Sequence, residues 1–153
     1  AALANLDLFE RGKVLPRVNR LAAQLDARLT PLWKLPWVGD VRRVGLMAGI
    51  ELVKDWRTRE PFSWKARVGV RVCDEARRHG VLMRPIGNVL VIMPPYCVTE
   101  SHLDRIVTAL ERGIRAVCCG ASASRRVLPK IPIAIPRANL RPFSAKARQS
   151  GRR

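Results

Sequence analysis

Arg84 is the residue in this sequence whose type and setting best suit the binding of a ligand. It lies in the stretch "MRPIGNVLVIMPPY", residues 83–96, directly before Pro85. A guanidinium can hold a carboxylate through two parallel charge-assisted hydrogen bonds, and a turn that contains proline and glycine is a stiff support. On residue type alone, an arginine that extends into water or pairs with a nearby Asp or Glu is the commoner case. The hypothesis of carboxylate binding therefore needs support from outside this stretch.

The cysteines and histidines do not have the spacing of a metal site. The sequence contains Cys73, Cys97, Cys118 and Cys119. No two of them form a C-x-x-C pair, and neither His79 nor His102 stands at ligand spacing beside them. We therefore expect no zinc and no other metal site. The apolar neighbours of Cys73 and Cys97 predict buried free thiols, which favour a reducing compartment.

The charge of the chain is concentrated near its end. The 153 residues carry a formal charge of +17. Residues 1–118 hold 20 basic and 12 acidic side chains, a net +8, whereas residues 119–153 hold nine basic side chains and none that is acidic. Four prolines and little hydrophobic periodicity in residues 119–153 predict a disordered basic tail, because too little apolar surface is buried to offset the ordering entropy.

From the sequence we expect neither a membrane segment nor a signal peptide. No apolar run reaches the roughly 18 residues that a spanning helix needs. The opening "AALANLDLFERGK" lacks the order of basic then apolar residues that a signal peptide has. We expect a cytoplasmic protein.

Hydrophobic periodicity predicts alternating helices and strands. Residues 14–29 have apolar side chains every three or four positions, as a helix requires, and residues 1–10 show the same order more weakly. Residues 38–53 are interrupted by glycines and then strongly apolar, which predicts one or two strands. A polar loop follows, and residues 64–79 return to helical spacing, with Trp64 in the core and Gly80 as the stop signal.

The last third of the ordered region predicts a hairpin and a helix. Residues 81–83 and 89–93 flank the turn "PIGN" and predict its two strands. Ser101 and Asp104 match a capping box at the start of the final helix, which continues to about Val117. This order predicts an α+β fold, with an antiparallel sheet of three or four strands and helices on one face.

The aromatic residues and one histidine have ordinary explanations. We expect Tyr96 to serve packing and His79 to interact with the C-terminal dipole of its helix. The remaining tryptophans are candidates for contact with another domain, because large apolar side chains without a partner often mark an interface. They are Trp33, Trp37 and Trp56.

Residues 1 to about 117 resemble the class III aminotransferases, which depend on pyridoxal phosphate. The stretch "CDEARRHGVLMRPIGNVLVIMPPYCVT" is similar to their C-terminal segment, and "LPWVGDVRRVGLMAGIELV" and "AALANLDLFE" precede it in the same order. "GLMAGIEL" and the double proline recur across the class. The combination of "RPIGN" and "MPPY" is more specific and resembles the branch of biotin synthesis, the adenosylmethionine-8-amino-7-oxononanoate aminotransferases.

The resemblance implies a role for Arg84 and a division of the chain. Arg84 matches the arginine that receives the carboxylate of 8-amino-7-oxononanoate, with S-adenosylmethionine as the amino donor. Residues 1–13 would end a helix of the large cofactor domain, residues 14–118 would form the C-terminal small domain of a fold-type I aminotransferase, and residues 119–153 would be the tail. The complete enzyme would be a homodimer.

The cofactor chemistry that the resemblance implies is missing from these residues. A transaminase needs a lysine that forms a Schiff base with pyridoxal phosphate and an acidic partner for the pyridine nitrogen. The lysines of this chain are Lys13, Lys34, Lys54, Lys65, Lys130 and Lys146. None of them lies in the motif that carries the Schiff-base lysine. We therefore expect a C-terminal fragment that contains no catalytic residue and is inactive alone.

Two alternatives remain open. Another class III transaminase, acting on an ω-amino acid, would use a similar small domain. A noncatalytic module could instead bind nucleic acid through the basic tail, because phosphate contacts need only positive charge. The second alternative leaves residues 1–117 unexplained and has no motif that pairs basic with aromatic residues, so nucleic acid is not the expected partner.

Overall fold

The computed structural model of the chain describes residues 1–121, which form an α+β unit. The final helix continues to Ala121, so residues 119–121 are helical and not part of a disordered tail as predicted; the predicted tail from residue 122 onward lies outside the described residues. Within the described part, the helices and strands are α1 (Ala2–Arg11), α2 (Val14–Leu29), β1 (Val38–Val44), β2 (Met47–Asp55), β3 (Glu60–Pro61), α3 (Val68–Arg78), β4 (Pro85–Ile86), β5 (Val89–Ile92) and α4 (Glu100–Ala121). None of the helices in residues 1–121 has the length and apolar character to cross a membrane.

The strands form an antiparallel sheet in the order β1-β2-β5-β4, and the short β3 pairs with the end of β2. One row of paired residues runs across it from Val41 through Ile50 and Leu90 to Pro85. Ile50 and Leu90 are fully buried in the same cluster as the helix residues Leu25 and Leu110. The predicted fold, a small antiparallel sheet with helices on one face, is confirmed, with five strands where three or four were predicted.

The helices cover one face of the sheet because strand residues alternate between the two faces. In β2, Ala48, Ile50 and Leu52 are buried, whereas Met47 is exposed and Gly49 is only half-buried. Next to the sheet, α3 and α4 pack against each other, and α2 packs against α4. The helices therefore complete the face that carries Ile50, and we call the face that carries Met47 and Gly49 the open face.

The predicted stop at Gly80 is confirmed, and its geometry corrects the strand predicted for residues 81–83. Gly80 has φ +79°, its N–H donates to the carbonyl of Arg77 (2.9 Å), and the N–H of Val81 donates to that of Ala76 (3.1 Å). Val81 also packs with Ala76. This is a Schellman motif with its hydrophobic contact. Because the helix end uses the amide of Val81, residues 81–84 are not in a strand.

The helical spacing of residues 64–79 predicts Trp64 in the core, and this prediction is wrong. Residues 64–66 form a single 3-10 turn, and Arg67 at φ 47° separates that turn from α3, which begins at Val68. Trp64 consequently lies outside the helix and is 80% exposed. The other three tryptophans are half-buried, and Trp37 packs against the core.

The final helix begins with a different cap from the predicted Ser101–Asp104 pair. The N–H of His102 donates to Oγ1 of Thr99 (3.4 Å), and the N–H of Thr99 donates to Nδ1 of His102 (3.3 Å). This is the reciprocal arrangement of a capping box, shifted by two residues. Asp104 instead binds Arg28 of α2, so the residue predicted to cap α4 joins two helices.

Candidate substrate-binding site

The β4–β5 hairpin carries Arg84 at its entrance. Pro85 pairs with Leu90 and Ile86 with Val89, so the turn consists of Gly87 and Asn88 and not of the whole "PIGN" stretch. Gly87 has φ +59°, a conformation that glycine adopts without the steric cost other residues have. The hairpin is therefore shorter and tighter than the sequence predicted.

Extending the alternation of β4 by one residue puts position 84 on the open face. Pro85 is opposite the buried Leu90 and faces the helices, which puts Arg84 and Ile86, its neighbours in sequence, on the other side. Ile86 is 73% exposed, and Arg84 is exposed as well. Position 84 thus lies on the side of the sheet that the helices within residues 1–121 leave uncovered.

The β5 residues next to Arg84 on this face are apolar, and Glu51 of β2 lies beyond them, opposite Val89. Continuing the β4–β5 register by one residue puts position 84 opposite Val91, which pairs with Gly49 of β2. Val89 and Val91 are half-buried, and Met47 is 52% exposed. A cation at the border of an apolar strip suits a ligand with a carboxylate at one end and an aliphatic body.

The acidic side chains of the described residues form no ion pair with Arg84. On the open face, Asp40 instead pairs with Arg42, with 3.0 Å between Oδ2 and Nε. Within residues 1–121, the explanation that Arg84 serves an internal salt bridge therefore has no contact to support it. An arginine that simply extends into water remains compatible with the geometry.

The prediction of buried thiols is correct for Cys73 and wrong for Cys97. Cys73 is buried as expected, but Cys97 is exposed in the turn after the double proline, and Cys118 is the second buried thiol. Burial raises the pKa of Cys73 and of Cys118 to about 11. Residues 1–121 contain no group of three or more metal-ligating side chains.

The lysines of the described residues do not fit the covalent attachment of pyridoxal phosphate. Each of them is exposed: Lys13, Lys34, Lys54 and Lys65. Lys54 pairs with Glu60 at 2.8 Å between Nζ and Oε1. A Schiff-base lysine needs a sheltered site beside the cofactor, and residues 1–121 provide none. Lys130 and Lys146 lie outside the described residues.

Tyr96 and His79 lie where packing and helix-end roles place them. The ring of Tyr96 contacts that of Phe9 edge to face, with 5.7 Å between centroids, and this contact joins α1 to the turn after β5. His79 follows the last residue of α3, and its Nε2 lies 3.8 Å from Oε1 of Glu75. Neither residue takes part in the Arg84 hairpin.

Two residues that hold the hairpin were not singled out from the sequence. Nδ2 of Asn88 donates a hydrogen bond to the carbonyl of Phe62 (2.8 Å), and Gly69 in the first turn of α3 lies against the hairpin backbone. A glycine inside a helical pattern was the available signal for Gly69, because such a residue usually has a packing reason. The partner in that contact depends on the fold and is invisible in the sequence.

Comparison with known proteins identifies the family. The sequence model described as aminotransferase class-III matches residues 1–114, about three quarters of the chain. The chain belongs to the class III aminotransferases. Over 119 residues it is 50% identical to the adenosylmethionine-8-amino-7-oxononanoate aminotransferase of Geobacter sulfurreducens, a match that covers 78% of this chain and 26% of that enzyme. The chain thus spans about a quarter of the length of this relative.

Solved structures agree with this membership. The adenosylmethionine-8-amino-7-oxononanoate aminotransferase of Methanocaldococcus jannaschii aligns with a TM-score of 0.73 at 39% identity, covering 76% of this chain and 26% of that one. An amine transaminase from an uncultivated Pseudomonas species, in its PLP-bound form, aligns with a TM-score of 0.70 at 41% identity over the same shares. The two structures resemble this chain to a similar degree and carry different names.

Proposed function

We propose that this chain forms the small C-terminal domain of a pyridoxal-phosphate enzyme that transfers the amino group of S-adenosylmethionine to 8-amino-7-oxononanoate, giving 7,8-diaminononanoate. The observation that carries the proposal is the 50% identity to the Geobacter sulfurreducens enzyme of that name. Arg84, which lies in the "RPIGN" stretch, is exposed and forms no ion pair within residues 1–121, and this supports the proposal. The cytoplasmic location and homodimeric state of the complete enzyme belong to the same proposal.

Arg84 would act by holding the far end of the substrate. Two N–H groups of the guanidinium donate to the two carboxylate oxygens, which fixes both the position and the direction of the acid. The apolar strip formed by Val91 and its neighbours then receives the methylene chain, and the ketone end is left free to reach the reaction centre. Excluding water around this contact strengthens it.

The cofactor supplies the chemistry of the amino group, as an electron sink that the rest of the complete enzyme binds. The contribution of this chain is binding and orientation. In the proposed enzyme we expect residues 1–153 alone to be inactive, because the lysines described above are exposed. Borohydride reduction of the purified chain mixed with pyridoxal phosphate should leave no lysine with a stoichiometric adduct by mass spectrometry.

The test uses a hybrid enzyme in which the matched segment of this chain replaces its counterpart in the Geobacter sulfurreducens relative. Arg84→Ala should lower kcat/KM for 8-amino-7-oxononanoate by roughly 10- to 100-fold, since a hydrogen-bonded contact to a charged group is worth about 1.5–3 kcal/mol. The value for S-adenosylmethionine should stay within about twofold. Arg84→Lys keeps the charge without the fork and should fall between wild type and Arg84→Ala.

A second candidate is an amine transaminase, which the 41% identity to the Pseudomonas structure favours. An acceptor without a distant carboxylate would have no use for Arg84. In that case Arg84→Ala would leave the acceptor half-reaction unchanged, and equal losses in both half-reactions would likewise argue against carboxylate binding. The same hybrid therefore separates the two functions.

A further inference from the structure

The β4–β5 hairpin rests on the first turn of α3 at one glycine. A Cβ atom built on Gly69 would lie 2.4 Å from the carbonyl oxygen of Gly87 and 2.9 Å from Cβ of Pro85. Both distances are below 3.0 Å, so the hairpin or the helix would have to shift. Gly69 is buried, which leaves an added methyl group no route to solvent. The contact therefore requires the absence of a side chain at this position.

Two hydrogen bonds hold the other sides of the same turn. The N–H of Leu52 in β2 donates to the carbonyl of Asn88 (2.8 Å), and the side chain of Asn88 donates to Phe62 in the preceding loop (2.8 Å). Gly87 has open space where its Cβ would stand, so the backbone angle and not crowding requires glycine there. The turn is thus fixed to β2, to the loop and to the backbone of α3.

We propose that Gly69 is a positioning residue for the carboxylate site at Arg84, an inference that rests on the function proposed above. Arg84 directly precedes Pro85, whose ring fixes its own φ and restricts the residue before it. A displacement of Pro85 is therefore passed on to Arg84 with little backbone freedom to absorb it. Because a two-pronged contact requires both N–H groups to be aligned, a small tilt of the guanidinium weakens carboxylate binding.

A purely structural role for Gly69 makes a different prediction, and Gly113 is its matched control. Gly113 lies in α4, where an added Cβ would stand 2.9 Å from the carbonyl oxygen of Val72 and 3.2 Å from its Cγ1. Both glycines are helical, and both meet backbone that has no room for a methyl group. Of the two, Gly69 is the one that contacts the hairpin, and a loss of packing alone would lower the values for both substrates in either variant.

The experiment compares Gly69→Ala and Gly113→Ala in the hybrid enzyme, each with and without Arg84→Ala. Gly69→Ala should lower kcat/KM for 8-amino-7-oxononanoate by roughly 10-fold or more, while the value for S-adenosylmethionine stays within about twofold. Gly113→Ala should shift both values equally or not at all. In the Arg84→Ala background, Gly69→Ala should cost less than about twofold more, because the two residues act through one contact.

Each outcome is decisive. If Arg84→Ala leaves the keto-acid value unchanged, the proposed function itself fails. If Arg84→Ala lowers that value and Gly69→Ala does not, only the positioning role fails. The positioning role also fails if Gly69→Ala lowers the value by the same factor in the Arg84→Ala background. Should the hybrid not fold, amide hydrogen exchange on the 153-residue chain replaces it: exchange at Leu52 should quicken in Gly69→Ala and not in Gly113→Ala, and equal exchange would overturn the inference.

Discussion

The two faces of the sheet are completed in different ways, although the same strands supply both. On the helix side, Ile50 and Leu90 are fully buried by residues of this chain. On the open face, Met47, Ile86 and Arg84 remain exposed. One set of strand positions therefore provides the stability of the domain, and the alternate set is free to carry a ligand contact.

Substitutions on the two faces of the sheet should change the free energy of unfolding by very different amounts. Leu110→Ala removes a fully buried side chain of α4 and should lower the free energy of unfolding by about 2–5 kcal/mol. Met47→Ala, at a position 52% exposed on the open face, should change it by less than about 1 kcal/mol. Urea denaturation of the 153-residue chain measures both values, and equal losses would mean that the open face is covered in solution.

Thiol labelling compares the buried and exposed regions of the domain without changing the sequence. Cys73 and Cys118 are buried, and burial raises the pKa of each from 9.0 to about 11, whereas Cys97 and Cys119 are exposed. A rise of two pKa units lowers the reactive thiolate fraction about 100-fold at neutral pH. With iodoacetamide, mass spectrometry should find two labelled sites in the native chain and four in denaturant. Four rapid sites in the native chain would show that the helix layer opens readily.

The smallest effect concerns the outer edge of the helix layer. The hydrogen bond from Arg28 lowers the pKa of the Asp104 carboxyl from 3.8. Because the folded-state pKa lies below the unfolded value, this pair stabilises the chain above about pH 4 and the contribution is lost as pH falls further. Asp104→Asn should therefore flatten the acid side of a plot of urea midpoint against pH.

The control for that prediction is Glu111→Gln. Its partner Arg115 lies on the same helix, at 2.7 Å between Nη2 and Oε1, so the substitution removes an ion pair without separating α2 from α4. An acid side that flattens to the same degree in both variants would assign the effect to charge in general and not to the contact between the two helices.

Periodicity was sufficient to predict the elements that form the core. The apolar spacing of residues 14–29 predicted α2 with both bounds, and the glycine-interrupted residues 38–53 form the predicted strands β1 and β2. Gly80 was identified as a helix stop because its flexibility suits the left-handed end of a Schellman motif. These features depend on residues that are close in sequence, and local sequence patterns are therefore sufficient to predict them.

The errors at Trp64 and Val81 come from backbone conformation at the two ends of α3, and the missed contact at Gly69 comes from packing between elements that are separate in sequence. Trp64 has helical spacing to Val68, but the left-handed Arg67 between them ends that continuity, and residue type alone gives no sign of it. Val81 has strand character, yet the end of α3 binds its amide. For the candidate site, the sequence and its family resemblance singled out Arg84, whereas the contact at Gly69 exists only once α3 and the hairpin meet.

The brevity of β4 has a consequence for self-association. An exposed sheet edge offers unpaired N–H and C=O groups to which strands of other molecules can add, and proteins suppress this with short edge strands and proline. β4 has two residues, and one of them, Pro85, lacks an N–H group. The segment next to Arg84 therefore leaves few backbone groups free at this edge of the sheet. This disfavours aggregation by the addition of strands from other molecules at β4.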